Sequence, residues 1–204
     1  MKGMTAKPKD DKKSERIAEY KNKRKFDETP EPEGDGKGGK MRTGEHLRFV
    51  VQKHDASNLH YDFRLELDDV LKSWAVPKGP SLDPAKPRLA IPTEDHPLDY
   101  MTFEGIIPKG NYGAGEVIVW DNGLYHVVDT DDAASNKRKI RAGLRKGKLD
   151  IVLLGKKLKG AFSLVRTEAK EGKESWLLVK HEDPYATTNE VTVDNTSVTS
   201  GKAL

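Results

Sequence analysis

The sequence predicts a mainly β protein, a compact antiparallel β-barrel with short helices and flexible N- and C-terminal tails. Three observations carry that prediction: apolar runs with a period of two recur along the middle of the chain, turn residues separate them, and the two ends are too polar to join a core. With 204 residues and 35% hydrophobic content, the chain can bury one sizeable core. The expected organisation is a charged N-terminal arm over residues 1–40, partly disordered and able to order on a substrate, a barrel over 41–183, and a disordered tail over 184–204.

In the arm, SERIAEYKNKRKF could form a short helix but has few apolar positions to anchor it, so a mobile segment that orders on binding is expected. The Gly/Pro/Glu-rich TPEPEGDGKGGKMRTG ends it. The strands are LRFVVQ, LHYDFRLEL, SWAV, RLAI, EVIVW, LYHVV, LDIVLL, AFSLV and SWLLV. In LHYDFRLEL, Leu59, Tyr61, Phe63, Leu65 and Leu67 alternate with His60, Asp62, Arg64 and Glu66, so one face packs and the other presents polar groups. Asp55, Ala56, Ser57 and Asn58 read as a turn that folds RFVVQKH back antiparallel and returns His54 to the neighbourhood of His60 and Asp62. Asn122-Gly123, between two apolar runs, suits a type I′ hairpin with positive φ at both central residues. AASNKRKIRAGLRKG is the best core helix and is strongly basic. GNYGAGE resembles a phosphate-cradling loop, but no helix follows it, so a β-turn or bulge is expected.

Composition narrows the chemistry. The formal net charge of +3 permits an anionic partner without requiring one. Cysteine is absent, which excludes disulfides, thiolate ligands and a cysteine nucleophile and is compatible with a reducing compartment. No apolar run is long enough to span a bilayer, and the Lys/Asp-rich N-terminus lacks the apolar stretch of a signal peptide, so a cytoplasmic protein is expected.

Two imidazoles and a carboxylate converging from adjacent strands suit Mn²⁺, Fe²⁺ or Zn²⁺ with open positions for water or substrate. Arg64, one pleat further on, would point its guanidinium fork at an anion held there. A solvated strand face carries the same residue types, and on pattern alone the two readings stand level. TEDHPLDYMTFEG adds Glu94, Asp95, His96 and Tyr100 just after the strand RLAI. Taken singly these form a polar turn, Lys78 a surface lysine and Arg88 a strand-edge charge.

Together, RFVVQKHDASNLHYDFRLELDDVLKSWAVPKGPS and EDHPLDYMTFEGIIPKGNYGAGEVIVWDNG resemble the 3′-phosphoesterase module of bacterial DNA ligase D and its stand-alone relatives. The resemblance runs from about residue 20 to 183. It implies a β-barrel enzyme that uses a divalent metal, manganese foremost with cobalt or zinc as alternatives, to remove 3′ ribonucleosides and 3′-phosphates from a primer strand during repair by end joining. It also implies roles for residues: His54, His60 and Asp62 as metal ligands; Arg64, His96 and Tyr100 as groups that hold the scissile phosphate; and Arg24, Glu31, Lys78, Arg88 and Glu94 as supporting positions, Glu94 also being a candidate for placing the nucleophile or a metal-bound water. The chain departs from the family where Arg-Asp-Phe is usual, having Arg24-Lys25-Phe26. Implied partners are DNA or RNA/DNA primer-template 3′ ends, with an end-joining ligase, polymerase or end-binding proteins acting in trans, and a stand-alone monomer with no membrane partner is expected. The basic arm and the Lys/Arg-rich stretch 137–148 would track the polynucleotide backbone.

Two other readings fit the residues. A non-haem Fe(II) oxygenase would use His60, Asp62 and His126 as a facial triad, leaving His54 incidental. A non-catalytic nucleic-acid binding module would need only the barrel and its basic ends.

Overall fold

The computed structural model of the protein describes residues 14–34, 47–128, 132–168 and 174–204. Its strands are β1 (Leu47–Asp55), β2 (Leu59–Leu67), β3 (Val70–Val76), β4 (Arg88–Pro97), β5 (Gly105–Ile107), β6 (Gly115–Val127), β7 (Lys148–Gly155), β8 (Lys159–Arg166) and β9 (Trp176–Lys180), with helices α1 (Ala18–Asn22) and α2 (Ala133–Lys146). The antiparallel order β1-β2-β3-β4-β9-β8-β7-β6 closes on itself because β1 also pairs with β6, giving an eight-stranded barrel. Closure leaves no free edge in the ring. The other edge of β6 is shared between β7, at Gly123–Val127, and the short β5, at Gly115–Val117.

The alternation in β2 separates two packed layers. Tyr61, Phe63, Leu65 and Leu67 point into the barrel, where they join Phe49, Trp74, Trp120, Tyr125 and Phe162 in the main core. Each such buried side chain contributes about 1.5–3 kcal/mol relative to exposure. The opposite face of β2 is covered by a second cluster built from Ile17 and Tyr20 of the N-terminal segment, Tyr100 and Met101 of a 3-10 turn at Leu98–Thr102, and Ile107, Val117 and Val119. Polar residues on that face are therefore buried, Asp62 being 7% and Arg64 2% exposed.

Three expectations need correction or narrowing. Asn122-Gly123 is not a hairpin: β6 runs straight through it, with Gly123 facing Phe49 on one side and Gly155 on the other. A Cβ at Gly123 would lie 2.2 Å from the Leu154 carbonyl oxygen, so this glycine serves the close approach of β7 and not a turn. The two-residue I′-like turn lies between β2 and β3, where Asp68 and Asp69 have φ of 55° and 67°. Within the expected arm, residues 14–34 pack on the barrel with Ile17, Tyr20 and Glu31 buried, while residues 1–13 and 35–46 lie outside the described residues. The basic core helix does form, with Asp132 capping Ser135 N–H and Gly147 ending it at φ 81°.

Residues 184–204, expected to be a disordered tail, are placed against the barrel. Their small polar side chains bury little, but the backbone is tied down: Val198 N–H donates to Val119 O at 2.9 Å, Trp120 Nε1 to Asp194 O at 2.5 Å, and Lys157 Nζ to Thr196 O at 2.7 Å. Composition registers missing apolar area, not backbone carbonyls available to barrel donors.

Candidate metal centre and active site

The β1–β2 hairpin pairs His54 with His60 and Gln52 with Asp62, and all four project to the covered face. His54 Nε2 lies 2.8 Å from Gly113 O, and His60 Nδ1 2.9 Å from Asn58 O. Each carbonyl can only accept, so it fixes the ring N–H on that nitrogen and leaves the other nitrogen with a lone pair. Those nitrogens, His54 Nδ1 and His60 Nε2, are 3.7 and 3.8 Å from Asp62 Oδ2. One ligand atom from each of His54, His60 and Asp62 lies within 4.8 Å of the others. Two imidazole nitrogens and one carboxylate fit a divalent ion with open coordination positions, and the backbone carbonyls act as the outer shell that orients the rings. Burial works against charge on Asp62, the Arg64 guanidinium 3.0 Å away favours it, and the carboxyl is held well below the usual range.

Arg64 forms the floor of the site. Its Nη2 is 3.0 Å from Asp62 Oδ2 and its Nε donates to Gln52 Oε1 at 2.8 Å. Gln52 is fixed in turn because its Nε2 donates to Tyr100 O and Phe103 O at 3.0 and 2.9 Å. The remaining nitrogen, Nη1, is buried with no partner. An unpaired buried cationic donor is costly, and in a cavity it is a seat for an anion.

The opposite wall comes from β4 and the N-terminal segment. The β3–β4 register shifts between Leu71, which faces His96, and Ser73, which faces Thr93, so β4 holds one extra residue where it bears Glu94 and His96. Arg24, its side chain 5% exposed, donates to Glu31 Oε1 at 2.8 Å and Glu94 Oε1 at 3.0 Å, and its Nη2 lies 3.3 Å from His96 Nε2. Lys23 Nζ reaches Glu94 Oε2 at 3.1 Å, so both carboxylate oxygens of Glu94 are engaged. Tyr100 donates its hydroxyl to Glu31 Oε1 at 2.9 Å, and burial keeps it protonated by pushing its pKa well above the usual phenol range. His96 Nδ1 lies 2.9 Å from Glu94 O, which leaves Nε2 as the acceptor toward Arg24. Burial, reinforced by the Arg64 and Arg24 charges, holds His96 well below the usual imidazole range, so it is neutral at neutral pH.

Together these groups line a cavity of about 310 Å³ bounded by Arg24, His54, His60, Asp62, Arg64, Glu94, His96 and Tyr100. Glu31 supports it from behind through Arg24 and Tyr100. Lys78 is exposed just beyond β3, and Arg88 pairs with Glu190 at 3.1 Å; neither lines the cavity. Lys25 is exposed and pairs with Glu28 at 3.2 Å. His126 sits near the far end of β6, nine residues from the Val117 that faces His54, which is roughly 30 Å along the strand, and it is not in the metal cluster. Sequence reasoning missed Gln52, Lys23, Thr93, Tyr112 and the Gly113 carbonyl. Gln52 alternates in step with His54, and that signal was available; the others depend on loops and on the docking of the N-terminal segment.

Residues 52–166 match the DNA Ligase D 3′-phosphoesterase domain family. The chain is 56% identical over 173 residues, 85% of its length, to the multifunctional non-homologous end joining protein LigD of Pseudomonas aeruginosa. It is 43% identical over 164 residues, 80% of its length, to the multifunctional non-homologous end joining DNA repair protein LigD of Mycobacterium tuberculosis, and 38% identical over 170 residues, 83% of its length, to the LigD of Mycolicibacterium smegmatis. These matches cover 19%, 19% and 21% of the relatives, so the chain spans about a fifth of their length.

Proposed function

The chain belongs to the DNA ligase D 3′-phosphoesterase domain family, and from that premise we propose that it is a divalent-metal-dependent hydrolase that removes 3′ ribonucleosides and then 3′-phosphates from primer strands in end-joining repair. The observation that carries this reading is the buried, unpaired Arg64 Nη1 beside the His54, His60 and Asp62 cluster, a cation seat and an anion seat side by side. A divalent ion held by those three residues, with Mn²⁺ as the proposed ion and Co²⁺ or Zn²⁺ as alternatives, would supply Lewis-acid polarisation of a phosphoryl oxygen and a water of lowered pKa.

The chain's own groups do the rest. Arg64 Nη1 donates to a non-bridging oxygen, and the guanidinium needs no reorganisation because Gln52 and Asp62 already hold it. Tyr100, kept protonated, is a second donor once its hydroxyl turns from Glu31 to phosphate. His96 is neutral in the free site, so its role there is to accept a proton; an incoming phosphate opposes the Arg64 and Arg24 charges and lets it hold that proton for the leaving oxygen. Glu94, with both oxygens engaged, holds Lys23 and Arg24 in place. In the first step water adds to phosphorus and the bond to the terminal nucleoside's 5′ oxygen breaks, leaving a 3′-phosphate and a free nucleoside. In the second, water adds again and the bond to the primer's 3′ oxygen breaks, leaving a hydroxyl and inorganic phosphate. The ribose 2′-hydroxyl is the feature by which the first step would select RNA over DNA ends.

Primer-template ends are the proposed substrates, with end-joining ligase, polymerase and end-binding activities as proposed partners and a monomer in the cytoplasm as the proposed working form. Among the described residues no helix is long and apolar enough to cross a membrane. The oxygenase reading loses support because His126 is absent from the only cluster of three or more His, Cys, Asp or Glu among the described residues. The test is to follow labelled primers ending in deoxyribose, ribose or 3′-phosphate with Mn²⁺ and then with chelator. Sequential loss of the ribonucleoside and the phosphate, stopped by chelator, is expected; processive digestion of the all-deoxy primer would contradict the proposal.

A further inference from the structure

Tyr112 lines the cavity yet has no part in the chemistry above. It is 48% exposed, so part of its ring is open to solvent where it meets the cavity. Its loop is held by Asn111 N–H donating to Pro108 O and Ala114 N–H to Asn111 O, both at 3.2 Å, with Gly110 and Gly113 at φ of 93° and 74°. The next carbonyl, Gly113 O, accepts from the metal-facing His54, so the ring is anchored to the cation seat through one peptide unit. Lys23 Nζ and the Arg24 guanidinium stand 5.1 and 5.4 Å from the ring centroid and fix its orientation.

Resting on the end-processing reading, we infer that Tyr112 is the stacking platform for the base of the terminal ribonucleoside, the group that leaves in the first step. A cavity of about 310 Å³ takes a single nucleotide and not a duplex, so the unit that enters with the scissile phosphate is the strand's last one. A π-face at its mouth, next to the cation seat, suits that unit's base. Stacking is tolerant of base identity, as a processing enzyme for any 3′ end requires. Tyr112 is thus a positioning residue for the nucleoside-removal step, whereas the 3′-phosphate left behind has no downstream base to stack.

The experiment measures kcat/KM of the full chain with Mn²⁺ on primers ending in one ribonucleotide, in an abasic ribose, or in a 3′-phosphate. Tyr112→Ala should lower the ratio of ribonucleoside removal to phosphate removal about tenfold, and Tyr112→Phe should keep it. The unaltered chain should lose about the same factor on the abasic end, where Tyr112→Ala should add nothing further. Equal losses on ribonucleotide and 3′-phosphate ends, an unchanged ratio, a Phe variant as poor as Ala, or unimpaired removal of the abasic ribose would each overturn the inference. Failure of the unaltered chain on every primer would instead defeat the end-processing reading on which it rests.

Discussion

Arg64 has Nε on Gln52, Nη2 on Asp62 and Nη1 unpaired, so its geometry is set before any anion arrives. Arg64→Lys removes the fork and should lower kcat/KM by about a hundredfold or more, while Mn²⁺ binding by titration calorimetry persists. Asp62→Asn should abolish that binding, because a neutral amide cannot replace the carboxylate between the two imidazoles. His96 makes a pH prediction. The unfolded chain takes up its proton near the ordinary value of 6.5, whereas the folded site does not, so stability is full above that pH and is lost as pH falls through it. Thermal unfolding at about pH 7.5 and 5.5 should show a larger drop for the wild-type chain than for His96→Gln; equal drops would contradict the assignment. At this scale the sequence was legible where a period of two placed His60, Asp62 and Arg64 on one face. Lys78 and Arg88 lie outside the cavity, a distance that residue type does not encode.

The hairpins show how far local patterns reach. Asp55–Asn58 turned as its residue types suggest and brought His54 opposite His60. Asn122-Gly123 did not turn, because pairing with β1 from Glu116 to Tyr125 and with β7 from Gly123 onward outweighs the local preference of a dipeptide. Gly123→Ala should therefore destabilise the fold by about 2 kcal/mol or more in denaturant titration, since its Cβ would meet the Leu154 carbonyl. A change below about 0.5 kcal/mol would mean that β7 can move aside. The N-terminal segment has so few apolar anchors that its docking could not be read from composition; what docks it is Ile17, Tyr20 and the charge network centred on Arg24. Removing that guanidinium would leave Glu31 and Glu94 buried without it. Arg24→Ala should cost about 3 kcal/mol or more in stability and also impair catalysis through His96 and Glu94.

Across the whole molecule, the barrel packs its interior into the main core and carries the cavity on one outer face, where the N-terminal segment and the 3-10 turn pack over it and leave Asp62, Arg64 and His96 buried. That division explains why the barrel and the shared face of His60, Asp62 and Arg64 were legible from strand alternation while the depth of the site was not: a second layer is a tertiary fact. The basic helix α2 contributes no residue to the cavity, and on the proposed reading it would contact the polynucleotide backbone. Lys137→Ala with Arg145→Ala should weaken primer-template binding and reduce its dependence on salt by about one to two ions, with the single-turnover rate at saturation retained. The most direct measurement of the central claim compares the wild-type chain and Asp62→Asn on a primer ending in a single ribonucleotide, with Mn²⁺ added after complete chelation. The wild-type chain should regain ribonucleoside and then phosphate removal as Mn²⁺ is restored, and Asp62→Asn should remain inactive at every concentration; activity that survives chelation, or an Asn variant that matches wild type, would contradict a metal-dependent site built on His54, His60 and Asp62.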